Sequence, residues 1–343
     1  MDLWPDGELW PDGGAAPFLP ECQPPQCAGC PAVSRRAPPT SVRAEWQTED
    51  MTEPALAHAT EFGRMYSRSL SEPPTVPSIT TVIAQGSTSL DGWHSHMAAT
   101  AVVKDPKLPA SLGNPGALRS LVKEASRASE RYRDQAAERG TRVHYYCEQV
   151  SLRALDLPHE LEAARTALLE HGEHQFADRF DEWWDLYQVE PLAPEITVWN
   201  DELGYAGTLD LVARINGRLC LIDYKTKNTD RDGQVKPLDD KVVMQLVAGM
   251  KAKESLVDAG TGTWEPWAYG EDPLLLGVAV GQTEVRPMRA NPAVLPQHWF
   301  KFCALRRLWQ TSYDVAGAGR ALLPIAPPPV GAHAVRAPQT SAT

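Results

Sequence analysis

Long apolar runs are missing from this chain: nowhere do about eighteen apolar residues follow one another, the length a membrane-spanning helix needs. No charged-then-apolar leader opens the sequence, so the expectation is a cytoplasmic protein with no membrane contact. Cysteine is scarce, six in 343 residues and in no regular framework, which argues against a disulfide scaffold and for a reducing compartment. Basic residues are in deficit, 33 Lys and Arg against 44 Asp and Glu, giving −11. That sign weighs against a surface built for phosphate, but the deficit is uneven. Residues 1–60 hold nine acids against three arginines and so carry −6 of the total. What is present is ordinary for a globular body: 43% of residues are hydrophobic.

Composition divides the chain into three parts. Residues 1–60 contain ten prolines and a short repeat, Leu3-Trp4-Pro5-Asp6-Gly7 and Leu9-Trp10-Pro11-Asp12-Gly13. A Pro-rich, acidic segment of this kind is expected to be a disordered arm, and the repeat reads either as a docking motif for a protein partner or as flexible filler. Cys22, Cys27 and Cys30 in the arm have the C-x4-C-x2-C spacing that opens plant-type iron–sulfur ligation. A fourth ligand would have to come from Cys147, Cys220 or Cys303. Three ligands fall short of the usual four, so an iron–sulfur cluster is not expected. The body covers 61–315, and the Pro-, Ala- and Gly-rich tail 316–343, which has no acids, is expected to be disordered.

Periodicity within the body predicts a strand at 78–83 and helices around 117–150 and 160–187. Strands follow near 195–200, 207–215 and 218–225, then a loop at 228–239 and a helix through 241–256. A strand at 274–280 and a helix at 297–313 complete the pattern. The order αβββαβ is that of an α/β fold, a central mixed sheet flanked by helices.

The segment 204–227, GYAGTLDLVARINGRLCLIDYKTK, is the most informative. Asn216-Gly217 between β-branched runs predicts a two-residue hairpin turn. Ile215 then pairs with Arg218, and counting outward sets Asp210 opposite Asp223, with Lys225 on the same face opposite Thr208. Leu219 and Leu221 share the face of Asp223, while Cys220, Ile222 and Tyr224 take the other. A strand apolar on both faces is a buried one, and acids facing each other at its end are costly unless paired or metal-bound. The bland alternative is a pair of solvated edge residues.

G-T-L-D followed by L-I-D-Y-K-T-K resembles the core of the PD-(D/E)XK nuclease superfamily, in particular its RecB-like and Cas4-like exonuclease branch of phage and actinobacterial type. Asp210 matches the first acid, and Asp223-Tyr224-Lys225 the (D/E)-x-K element. Arg139-Gly140-Thr141-Arg142-Val143-His144 resembles the upstream G-T-x-x-H helix, and Pro194–Trp199 the preceding strand with its glutamate, Glu195. Met244-Gln245-Leu246 resembles the Q-L of the next helix, and Pro77–Ile83 with Trp93 the opening P-S-V-T-T-V-L…W. Two positions depart from the pattern. Gly249 stands where the branch often has tyrosine, and only Cys303 follows the core where Cas4-like members place three cluster cysteines.

The resemblance implies a restriction-endonuclease-like fold and a divalent-metal-dependent DNA exonuclease, acting in recombination, repair or phage DNA processing. A non-catalytic DNA-binding or assembly subunit retaining that fold is the alternative. Asp210, Asp223 and the carbonyl of Tyr224 would hold Mg²⁺ or Mn²⁺, with His144, a ligand suited to Mn²⁺. Lys225 would orient the attacking water or stabilise developing charge. Glu195 would assist at the metal or position substrate, and Gln245 would hold the lysine loop or a phosphate. Glu148, one turn after His144, shares its helix face. His94 and His96 diverge on a helix and are left outside the site.

Overall fold

The computed structural model describes residues 54–87 and 90–327. The arm's repeat, the three cysteines at 22, 27 and 30, and most of the tail lie outside these. A small sheet comes first, β1 (Ala57–Thr60), β2 (Gly63–Tyr66) and β3 (Val76–Pro77). Composition assigned residues 57–60 to the arm, yet they pair with β2, and Leu56 just before them is fully buried beside Trp199.

Helices follow: α1 (Ile79–Ala84), α2 (Asp91–Lys104), α3 (Leu108–Ser111), α4 (Pro115–Ala125), α5 (Ala128–Ala154), α6 (Leu161–Glu170) and α7 (His174–Leu186). The β-branched run at 79–83 was expected as a strand and is the helix α1 instead. Ser78 caps it, its hydroxyl accepting from the Thr81 N–H at 2.9 Å. Tertiary packing overrides the β preference of the run: Ile79, Val82 and Ile83 are buried against Tyr205 and Phe302.

The main sheet is built from β4 (Glu190–Asn200), β5 (Tyr205–Ile215), β6 (Arg218–Thr226), β7 (Glu254–Asp258), β8 (Thr263–Pro266), β9 (Leu274–Val280) and β10 (Val285–Arg289). Its order is β10-β9-β6-β5-β4-β7-β8, with β6 and β9 parallel and the other neighbours antiparallel. Helix α8 (Lys241–Met250) crosses from β6, and α9 (Leu295–Gly317) closes the chain. The expected helix through 256 stops at Met250, because 254–258 pairs with β4 at the sheet edge. The architecture is a mixed seven-stranded sheet flanked by helices, the αβββαβ arrangement read from sequence. Among the described residues no helix is long and apolar enough to cross a membrane.

One face of the sheet packs on α5, α6 and α7 through Ile222, Tyr224, Phe176, Phe180 and Trp183. The other packs on α8 through Val212, Leu221, Val242 and Leu246. The alternation forecast for β6 therefore holds, with Cys220, Ile222 and Tyr224 on one side and Leu219 and Leu221 on the other. The turn is as expected too: Asn216 and Gly217 have φ of 50° and 74°, both left-handed, and Ile215 pairs with Arg218. A side chain at Gly217 would meet open space but adopt a costly backbone. Gly217→Ala is expected to destabilise the fold by about 1 kcal/mol in urea titration, without loss of secondary structure.

Candidate active site

The β5–β6 ladder ends at Leu211–Ile222, one residue short of the two acids. On its other flank β5 pairs Leu211 with Pro194 and Leu209 with Ile196, skipping the position of Asp210 and Glu195. Asp210 is thus paired on neither side, and the directly opposed Asp210–Asp223 pair expected from the hairpin is not part of the ladder. The cause is local. The Asp210 side chain enters the gap between the strands and its Oδ2 accepts the Tyr224 N–H at 2.6 Å, taking the place of a backbone acceptor. Glu195 sits at the interruption with φ of 44°, a strained value for a non-glycine in a strand.

Lys225 leaves β6 on the side of Asp223, as expected, and its Nζ lies 2.5 Å from Asp223 Oδ2. The two form an ion pair, and both Asp223 oxygens are buried. Side-chain exposure rises across the group, from 4% for Asp223 and 12% for Asp210 to 29% for His144 and 33% for Lys225. The cluster is therefore floored by acids and opens to solvent at the histidine and lysine.

Electrostatics follow from that burial. Loss of hydration pushes the Asp223 carboxyl up to about 6; Lys225 opposes the shift and the negative Asp210 adds to it. Burial also raises Asp210, against Lys225 and the Tyr224 N–H. Glu195 is driven well above the carboxylate range, first by burial and then by Asp210, Glu148 and Asp223. Burial works against the charge on Lys225, but Asp223 and Asp210 outweigh it and raise its pKa. Desolvation, reinforced by the Lys225 cation, lowers His144 to about 4. Its imidazole is neutral at pH 7, so the 3.8 Å approach of Nδ1 to Asp210 Oδ2 is not an ion pair. A neutral ring keeps a lone pair for a metal.

The structure brings together Asp210, Asp223, Tyr224, Lys225, His144 and Glu195, and adds Glu148 as a charge felt by Glu195. Gln245 is half-buried on α8 and makes no side-chain hydrogen bond to the group. Gly249, at the position where tyrosine is often found, has no room for a side chain: a Cβ would lie 2.5 Å from Leu209 Cδ2. The helix backbone lies directly on β5 there. Cys147, Cys220 and Cys303 are buried and form no disulfide with one another.

Side chains beyond the motif complete the setting. Thr208, two residues before Asp210, shares hydroxyl contacts of 3.0 Å with Tyr66 and with Thr197, which tie the small sheet to β5. Tyr224 packs its ring on Phe180 and Trp183, edge-on at 5.4 and 6.2 Å. Arg139 and Arg142, five and two residues before His144, clamp the buried Glu173. Tyr66, Glu173, Phe180 and Trp183 have no local sequence signal, since each is distant in the chain from the residue it meets.

The chemistry of the donor set fits a hard divalent cation: two carboxylates, a strand-end carbonyl and a neutral imidazole. The buried acids, which outnumber the one lysine set among them, are the specific sign of it. As they stand, no three His, Cys, Asp or Glu side chains among the described residues are grouped closely enough to hold an ion. The Lys225 ammonium lies against Asp223 and the Tyr224 N–H occupies Asp210, which accounts for the open arrangement.

No protein family matches the sequence, and no curated protein is significantly similar to it. Among solved structures, that of SSO0001 is similar at 14% identity, over 52% of this chain and 82% of that one, with a TM-score of 0.21. That level assigns no function to this chain.

Away from the acids, Glu173 offers a stability test. Burial raises its pKa, but hydrogen bonds and charge from Arg142 and then Arg139 outweigh that and hold it below the usual glutamate value. A depressed folded pKa stabilises the protein above the unfolded pKa, and the contribution is lost as pH falls through the folded one. Glu173→Gln is expected to cost about 2 kcal/mol at pH 7, measured by denaturant unfolding, with the gap to the parent protein closing as pH drops below about 4.

Proposed function

We propose that this protein is a divalent-metal-dependent deoxyribonuclease of exonuclease type, hydrolysing phosphodiester bonds in DNA recombination, repair or phage DNA processing. The observation that carries the reading is Asp223. Its carboxylate is buried, answered by an ion pair with Lys225 and crowded by two further acids. Structure alone would not retain such a group, because one lysine does not offset several buried acids and an excess of buried negative charge destabilises a fold. The sequence resemblance supplies the reaction class, and the intact Asp210, Asp223 and Lys225 weigh against a non-catalytic subunit.

Asp210, Asp223, the Tyr224 carbonyl and His144 would hold Mg²⁺ or Mn²⁺, which when bound supplies Lewis acidity toward the phosphate and a water of lowered pKa. Lys225, kept charged by the acids, orients that water and offsets negative charge growing on the phosphoryl oxygens. Glu195, whose carboxyl is pushed up first by burial and then by its acidic neighbours, assists at the metal or positions substrate. The aromatic packing of Tyr224 fixes the strand on which Asp223 and Lys225 stand. Gln245 has no part in this scheme.

Digestion of end-labelled linear and covalently closed DNA with Mg²⁺, Mn²⁺ or EDTA tests the reading. Metal-dependent loss of the linear form alone is expected, with Asp223→Ala and Lys225→Ala each at least about 100-fold slower. Cleavage that survives Lys225→Ala would place the activity elsewhere, and no cleavage under any condition would leave the non-catalytic alternative.

A further inference from the structure

Helix α5 carries more surface than the fold uses. All eight residues from Arg131 to Glu138 are exposed, so two turns in its first half leave most of their surface uncovered by the described residues. A helix that packs on nothing is ordinarily covered by a partner or held by many charge pairs. Here the Arg133–Asp134 contact at 3.6 Å is weak and largely solvated. Tyr132, on this bare stretch, is 43% exposed, and its ring lies edge-on to that of Trp93 at 5.9 Å.

This stretch borders the candidate site. Asn228, third after Lys225, donates to the Tyr132 hydroxyl at 3.0 Å and accepts from Arg139 at 2.8 Å. The loop leaving the catalytic strand is thereby fastened to the aromatic pair. Gly140 stands one turn before His144, about 6 Å along the axis, and about 12 Å beyond Tyr132. A Cβ at Gly140 would meet nothing within 4 Å, so no packing among the described residues requires glycine in mid-helix, where it weakens the helix. Something outside the described chain accounts better for it, a ligand whose backbone comes close.

Charge indicates which ligand. Residues 91–142, which form α2 to α4 and the first half of α5, hold nine Lys and Arg against six Asp and Glu, while the whole chain carries −11. Helices α2, α3 and α4 pack chiefly on one another and on α5, so this basic layer stands beside the sheet and not under it. We propose that it is the track on which a single DNA strand reaches the acid–lysine cluster. Bases stack on Tyr132 and Trp93, the sugar–phosphate backbone crosses Gly140, and Arg127, Arg131 and Arg133 take phosphates. Stacking on an exposed ring requires an unpaired base, which selects single strands over duplex.

The inference rests on the phosphodiesterase reading, so its test separates binding from cutting. Full-length protein is titrated into fluorescein-labelled oligo(dT) in EDTA, and anisotropy is followed at two salt concentrations. Tyr132→Ala is expected to weaken binding about 10-fold, while Tyr132→Phe, which keeps the ring and loses the hydroxyl bonded to Asn228, stays close to the parent. Gly140→Ala is expected to raise the melting temperature by a few degrees yet weaken binding. Unchanged affinity in both Tyr132→Ala and Gly140→Ala, in a protein that still cuts DNA, would overturn the track and leave the catalytic reading standing. A parent protein that neither binds oligo(dT) nor cuts DNA would overturn both.

Discussion

Everything at the candidate site depends on one electrostatic constraint: carboxylates kept in a buried place where backbone pairing has been interrupted to admit them. Asp210 has no ladder partner, Asp223 is buried against Lys225, and Glu195, on the strand beyond Asp210, occupies a left-handed backbone conformation. Each of these features opposes folding when taken alone. Together with Lys225 they form a group whose internal charge balance is incomplete, three acids and one cation, with Glu148 close enough to be felt. A divalent cation is the simplest completion of that balance.

Rigid packing around the cluster maintains the arrangement. The sheet lies against its helices at unusually short range on the α8 side. A Cβ at Gly207 would strike Ile79, at Gly249 Leu209, and at Gly277 the side chains of Leu238 and Val242. Gly277 is the residue of β9 paired with Asp223, so close helix–sheet contact is set at the same level as the acid. On the other side the aromatic layer of Phe180, Trp183 and Tyr224 fills the space under α5, which carries His144. Strain at Glu195 persists because the surroundings on both faces leave it little freedom.

Much of this was legible from residue types at short range. The Asn216-Gly217 turn, the alternation along β6 and the spacing Asp223-Tyr224-Lys225 are local, and they place the acid and lysine on one face correctly. Errors arose where distant packing decided the outcome. The run 79–83 is helical because Tyr205 and Phe302 bury it, and 254–258 is a strand because β4 offers an edge. The count that opposed Asp210 to Asp223 assumed an unbroken ladder, and a carboxylate replacing a backbone acceptor is not visible in a sequence. Tyr66, Thr197 and Glu173 likewise act through contacts that no motif encodes. The Gly249 departure, in contrast, was visible as a difference and became intelligible only with the α8–β5 contact.

The central claim is that the buried acids are held for a divalent cation, and calorimetric titration of Mn²⁺ into the full-length protein tests it most directly. The account predicts saturable binding near one ion per chain, a higher melting temperature with Mn²⁺ present, and loss of both in Asp223→Asn with folding retained. Mn²⁺ binding that is absent from the parent protein, or that persists unchanged in Asp223→Asn, would contradict it.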